Sequence, residues 1–117
     1  MQRFQIIAFF TILGFFFSCS RDKLSGEGPN CTDSVGYTDV RNIIQTTCAY
    51  AGCHDGANAP GNYETLEGLS PFLTDRDFRA RVLEIQDMPP TYSSGPTSLT
   101  PDQLLMLNCW AQQGYPE

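Results

Sequence analysis

Two cysteines and the only histidine of the chain stand together in the segment Cys48-Ala49-Tyr50-Ala51-Gly52-Cys53-His54. Two thiols followed at once by an imidazole can do three kinds of chemistry. The thiols can bond covalently to the two vinyl groups on one edge of a haem while the imidazole rises beneath the iron. The usual spacing for that is two residues between the cysteines and a histidine directly after the second. Here the spacer has four, and small Ala49, Ala51 and Gly52 let the extra length bulge. The thiols can instead pair as a local disulfide. They can also join the imidazole around a soft metal ion such as copper, although adjacent Cys53 and His54 make an awkward chelate for one tetrahedral ion.

A methionine adds to the first of these. Haem c iron commonly takes a Met sulfur opposite the histidine, which raises its reduction potential. Apart from Met1 the chain has Met88 and Met106. Met88 precedes Pro89-Pro90, and two fixed φ angles stiffen the backbone after it. Met106 sits between Leu105 and Leu107 in a helical pattern and reads as packing, the common use of methionine. The expected axial pair is therefore His54 and Met88.

Three further cysteines need an account. The N-terminus runs Met1-Gln2-Arg3 and then apolar from Phe4 to Phe17, ending in Phe16-Phe17-Ser18-Cys19. One positive charge, an apolar stretch too short to span a bilayer and a small residue are the pattern of a secretory signal peptide. The ending resembles a bacterial lipobox, with Phe16 where Leu is usual, so Cys19 is expected to carry the lipid. More than one acyl chain there would anchor the protein stably. Export means an oxidising compartment. Cys31 and Cys109 remain, and a disulfide between them would tie the first helix to the last if those helices pack together. One lipid, two thioethers and one disulfide use all 5 cysteines. A Cys48–Cys53 disulfide beside Cys31–Cys109 balances equally well.

The elements that must hold these groups are helical. Thr38 to Thr47 places Val40, Ile43 and Ile44 on one face, with Thr38 as the expected N-cap. Asp75 to Gln86 places Phe78, Val82 and Ile85 at i, i+4 and i+7, and Pro89 and Pro90 must end it. Pro101 to Gln113 has Thr100 as N-cap, Gln103 to complete a capping box, Pro101 at the first position and Gly114 as the stop. There Leu104, Leu107 and Ala111 share a face, with Trp110 beside them. Asp55 to Gly61 reads as a loop and Glu64 to Leu69 as a short helix. No stretch alternates as a strand, so the class is all-α.

Residues 1–18 are then a lipoprotein signal peptide, 19–30 a flexible tether and 31–117 the folded domain. The tether's polar stretch from Ser20 to Pro29 would hold the domain about 15–20 Å from its anchor. The chain has 117 residues and a formal net charge of −6. Losing Arg3 with the signal peptide makes that −6 − 1 = −7 over the remaining 117 − 18 = 99 residues. An acidic domain is a poor nucleic-acid binder and suits a partner with a basic docking face. At this size burial alone is marginal, and a disulfide or a cofactor is the usual staple.

The stretch from Tyr37 to Glu117 resembles the short class I-like cytochrome c domains of exported proteins in Bacteroidetes and Planctomycetes. The residues that carry the resemblance are Cys48, Cys53, His54, Met88-Pro89-Pro90, Leu99-Thr100-Pro101-Asp102-Gln103, Trp110 and Gly114. It implies a cytochrome c-like fold of three to four short helices around one covalent haem c, with the first and last helices crossing and Trp110 at that crossing or near the haem edge. It implies electron transfer outside the cytoplasm, from the periplasm or cell surface, and no catalysis of its own. Cys31 and Cys109 are not part of that general pattern. Two other readings stay open: a disulfide-stapled binding lipoprotein with no cofactor, and a copper site built from Cys48, Cys53, His54 and Met88.

Overall fold

A computed structural model describes residues 30–117 apart from 58, 59 and 76. The segments expected to be a signal peptide and nearly all of a tether, with Cys19 between them, lie outside the described residues. Among the described residues the elements are α1 (Tyr37–Thr47), α2 (Leu66–Thr74), a π-helical segment (Arg79–Glu84) and α3 (Pro101–Gln112). There are no strands among them, only an isolated antiparallel bridge between Asp55 and Asn62. The protein is all-α. No helix among these residues is long and apolar enough to cross a membrane.

Helix α1 starts earlier than its sequence suggests. Gly36, not Thr38, is the N-cap. The Asp39 carboxylate reaches back to accept from the Gly36 N–H at 2.8 Å, and the Tyr37 N–H donates to the Pro116 carbonyl at 2.9 Å. Two donors that a helix start leaves orphaned are thereby satisfied. Val40, Ile44 and Thr47 are buried, and Ile43 packs at the edge of the same core.

The short helix expected over Glu64 to Leu69 is α2, displaced and longer. Thr65 caps it by accepting from the Gly68 N–H at 3.2 Å. Leu69 and Leu73, one turn apart, are buried. The helix runs through Pro71, giving up one ladder hydrogen bond. The Thr74 hydroxyl donates to the Pro71 carbonyl at 2.9 Å near the end of this strained stretch.

The helix expected over Asp75 to Gln86 is replaced in its central part by the π segment. The Ile85 N–H donates to Ala80 at 2.8 Å, five residues back. Arg79 and Glu84, also five apart, meet at 3.2 Å. This wider turn adds about one residue per closed loop. Phe78 and Val82 stay buried, but Ile85 is carried round to 65% exposure instead of sharing their face. Gln86 then turns left-handed at φ 57° and ends the element.

Helix α3 has its full capping box. The Gln103 N–H donates to the Thr100 hydroxyl at 3.2 Å, and the Thr100 N–H donates to the Gln103 side chain at 2.9 Å. It packs on α1 and on the π segment. Trp110 is fully buried at this junction, with Tyr37, Phe78 and Tyr115 ring centroids 6.1, 6.2 and 5.0 Å away. Its indole N–H donates to the Pro116 carbonyl at 2.8 Å, the same oxygen that receives the Tyr37 N–H. Cys31 and Cys109 form a disulfide with Cα atoms 5.3 Å apart. Beside it the Gln113 side chain accepts from the Val35 N–H at 2.9 Å and donates to the Asp33 carbonyl at 2.8 Å. The two ends of the described chain are thus bound to each other.

Candidate functional site

Cys48 is the residue that caps the C-terminal end of α1. Its N–H and that of Ala49 both donate to the Ile44 carbonyl, at 2.8 and 2.9 Å, which closes the helix and turns the chain outward. The segment then folds back on itself. The His54 N–H donates to the Cys48 carbonyl at 3.1 Å, and the Cys53 N–H to Tyr50 at 2.8 Å. The bulge needed for the long spacer is made at Gly52, whose φ of 87° lies in the left-handed region that glycine enters freely. The Asp55 carboxylate secures it, accepting from the Gly52 N–H at 2.9 Å and the Ala57 N–H at 3.0 Å.

Cys48 and Cys53 are both free thiols and both half-buried. Their thiols do not pair as a local disulfide. Burial pushes the Cys48 thiol up to about 12, with a smaller contribution from Cys53 beside it. At neutral pH it is therefore a protonated, neutral group.

The His54 ring is held on two sides. Nδ1 lies 2.7 Å from the Pro60 carbonyl oxygen. A carbonyl only accepts, so Nδ1 carries a hydrogen, and the neutral form of the ring then has its lone pair on Nε2. Tyr63 stacks on the ring, with centroids 4.1 Å apart and planes within 3°. The ring of Phe72, from α2, leans on Tyr63 at 5.2 Å. A histidine whose second nitrogen is tied to a backbone carbonyl is the usual arrangement of a metal-ligating imidazole.

Cys48, Cys53, His54 and Met88 all line one cavity of about 370 Å³, a volume within the range of small-molecule sites. α1 contributes Thr47, the π segment Val82 and Arg81, and the loop after it Met88, Pro89 and Pro90. Phe78 closes the cavity toward the Trp110 cluster. Met88 also packs at the edge of the core. Met106 lies on α3 at 39% exposure and is not among the cavity residues. Among the described residues no three His, Cys, Asp or Glu side chains gather as a cage for a metal ion.

Several cavity residues carry no sequence signal on their own: Tyr63, Phe72, Arg81 and Tyr92. Pro60 could have been noticed. A Pro-Gly pair six residues past the histidine is a turn that can bring a carbonyl back to the imidazole. Comparison of the chain with family models, with curated proteins and with solved structures finds no match.

Proposed function

We propose that this chain is a c-type cytochrome, an exported and lipid-anchored electron carrier. Cys48 and Cys53 would hold haem c through two thioethers, and His54 and Met88 would ligate its iron. One observation carries the reading: all four groups line a single cavity, and the His54 ring is already oriented there by Pro60 and Tyr63.

The residues fit the group. Each thiol would add across one vinyl double bond: a sulfur–carbon bond forms and the thiol hydrogen passes to the other vinyl carbon, so no oxidant is consumed. The reduced, unpaired state of both thiols suits that step. The Nδ1–Pro60 hydrogen bond selects the tautomer of the neutral ring that has its lone pair on Nε2. Met88 offers a neutral thioether from a loop stiffened by two prolines. Bound haem would supply a one-electron couple. The chain's own part is to fix the ligands, exclude water with Phe78, Val82 and Tyr63, and leave no exchangeable ligand position for a substrate. The cytochrome c-like arrangement, with α1 and α3 packed together, follows from the same reading. The acidic surface suits a redox partner with a basic docking face.

The test is the pyridine haemochrome spectrum of protein matured with the cytochrome c assembly machinery, together with its intact mass. A covalent haem that resists acid–acetone extraction, with the mass of one added haem, is expected. An intact mass of the bare polypeptide less two hydrogens per disulfide would instead support the cofactor-free binding protein. Stoichiometric copper without iron would support the copper site.

A further inference from the structure

The loop that carries Met88 is fastened to the π segment through Asp87, which does not line the cavity. Asp87, the residue before Met88, has both carboxylate oxygens on the Arg81 Nε, at 2.6 and 2.8 Å. The Asp87 N–H donates to the Arg81 carbonyl at 3.0 Å. Between them Gln86 sits at φ 57°, a conformation that a residue with a Cβ holds only when its surroundings impose it. Arg81 and Met88 both line the cavity, and Asp87 does not. Arg81 itself lines the cavity, and through Asp87 its contacts act on the backbone that leads into Met88.

We propose that Arg81 is a positioning residue for Met88, holding the Asp87 carboxylate so that the turn at Gln86 delivers the Met88 sulfur to the cavity. This rests on the reading of Met88 as an iron ligand. Its partner in the control is close at hand. Arg79 carries the same charge on the same segment and pairs with Glu84, which leaves the Met88 loop untouched.

The experiment uses haem-loaded wild type, R81Q, D87N, the double variant and R79Q. Imidazole is added to the oxidised proteins, and its displacement of the sulfur-to-iron charge-transfer band is followed. An exposed pair of this kind is worth a change of about two- to fivefold in an equilibrium. R81Q and D87N should each raise the apparent affinity for imidazole by about that factor, in the same direction. The double variant should go no further than the larger single change, because the two residues act as one contact, and R79Q should match wild type. Charge alone makes the opposite prediction: removing a cation and removing an anion shift the iron in opposite directions. Opposite shifts, an additive double variant, or R79Q behaving like R81Q would each overturn the proposal. Wild type with attached haem but no sulfur band would overturn it through Met88 while leaving the attachment intact. Wild type without haem would remove the proposed function itself.

Discussion

Gly61 follows Pro60, whose carbonyl holds the His54 ring, and its replacement by alanine has a cost that can be worked out. Its φ of 86° is left-handed, which charges a residue with a Cβ about 1–2 kcal/mol. A Cβ there would also overlap the Phe72 ring and come within 2.8 Å of Tyr63. Overpacking of that kind costs about 1–3 kcal/mol more, so G61A should lose about 2–5 kcal/mol. Gly52 provides the comparison. Its φ of 87° is nearly the same, but a Cβ there meets nothing within 4 Å. G52A should therefore lose only the backbone part, about 1–2 kcal/mol. Urea unfolding reads both, as a change in midpoint at constant m-value. F72A in the G61A background removes the ring that is struck, so the two changes should be less costly together than their sum. If G61A costs no more than G52A, or if F72A adds fully to it, the Pro60-Gly61 turn is not packed under Phe72. The account of how His54 is oriented would then fail with it.

Four other outcomes follow from the site and its staples. M88A should abolish the sulfur-to-iron charge-transfer band of the oxidised protein and lower its reduction potential, whereas M106A should leave both unchanged; the reverse result identifies the wrong methionine. Replacing Cys31 and Cys109 together with alanine opens a link of sequence separation 78, for which the chain-entropy relation gives about 4.5 kcal/mol at 25 °C. Equilibrium unfolding should show a loss on that order, and a change under about 1 kcal/mol would mean the link contributes little. In protein without attached haem, the Cys48 thiol, pushed up to about 12 by burial, stays protonated at pH 8. Its thiolate fraction there is about a thousandfold below that of an ordinary thiol, so iodoacetamide should label Cys48 very slowly until the chain is unfolded. Its stabilising contribution is complete below the ordinary thiol range and is lost as pH rises toward about 12, because the unfolded chain releases the proton first. A C48S variant should therefore lose less stability than wild type between pH 9 and 12.

What the sequence could disclose depended on whether the signal was local. Helix α3 is legible because its start is written in four consecutive positions, Thr100 to Gln103, and each does the work its type suggests. All-α character is legible because no segment alternates. The start of α1 is not, since its cap is glycine and depends on Asp39 and on Pro116 from the far end of the chain. Only the first part of α2 is legible, because Gly68 and Pro71 ordinarily break helices but here lie in one whose Leu69 and Leu73 are buried. The π segment keeps the apolar spacing of an ordinary helix through Val82 and departs from it only at Ile85, so periodicity alone favours the wrong turn. At the site, residue types and spacing single out Cys48, Cys53, His54 and Met88, and the structure places all four on one cavity. Of the contacts that orient them, only Pro60 has a local signal, the Pro-Gly turn; those from Tyr63, Phe72 and Arg81 arise from tertiary packing and have no pattern of their own.

The Pro116 carbonyl, which receives both the Tyr37 N–H and the Trp110 indole N–H, sets an order of events in biosynthesis. A chain made from its N-terminus exposes Cys48, Cys53 and His54 to its surroundings well before Trp110, Cys109 and Pro116 have been joined to it. Until those residues arrive, α1 lacks the acceptor at its start, the indole has no anchor and the disulfide from Cys31 to Cys109 cannot form. The segment with two thiols therefore precedes along the chain the acceptor that closes the domain, and the late residues shut it.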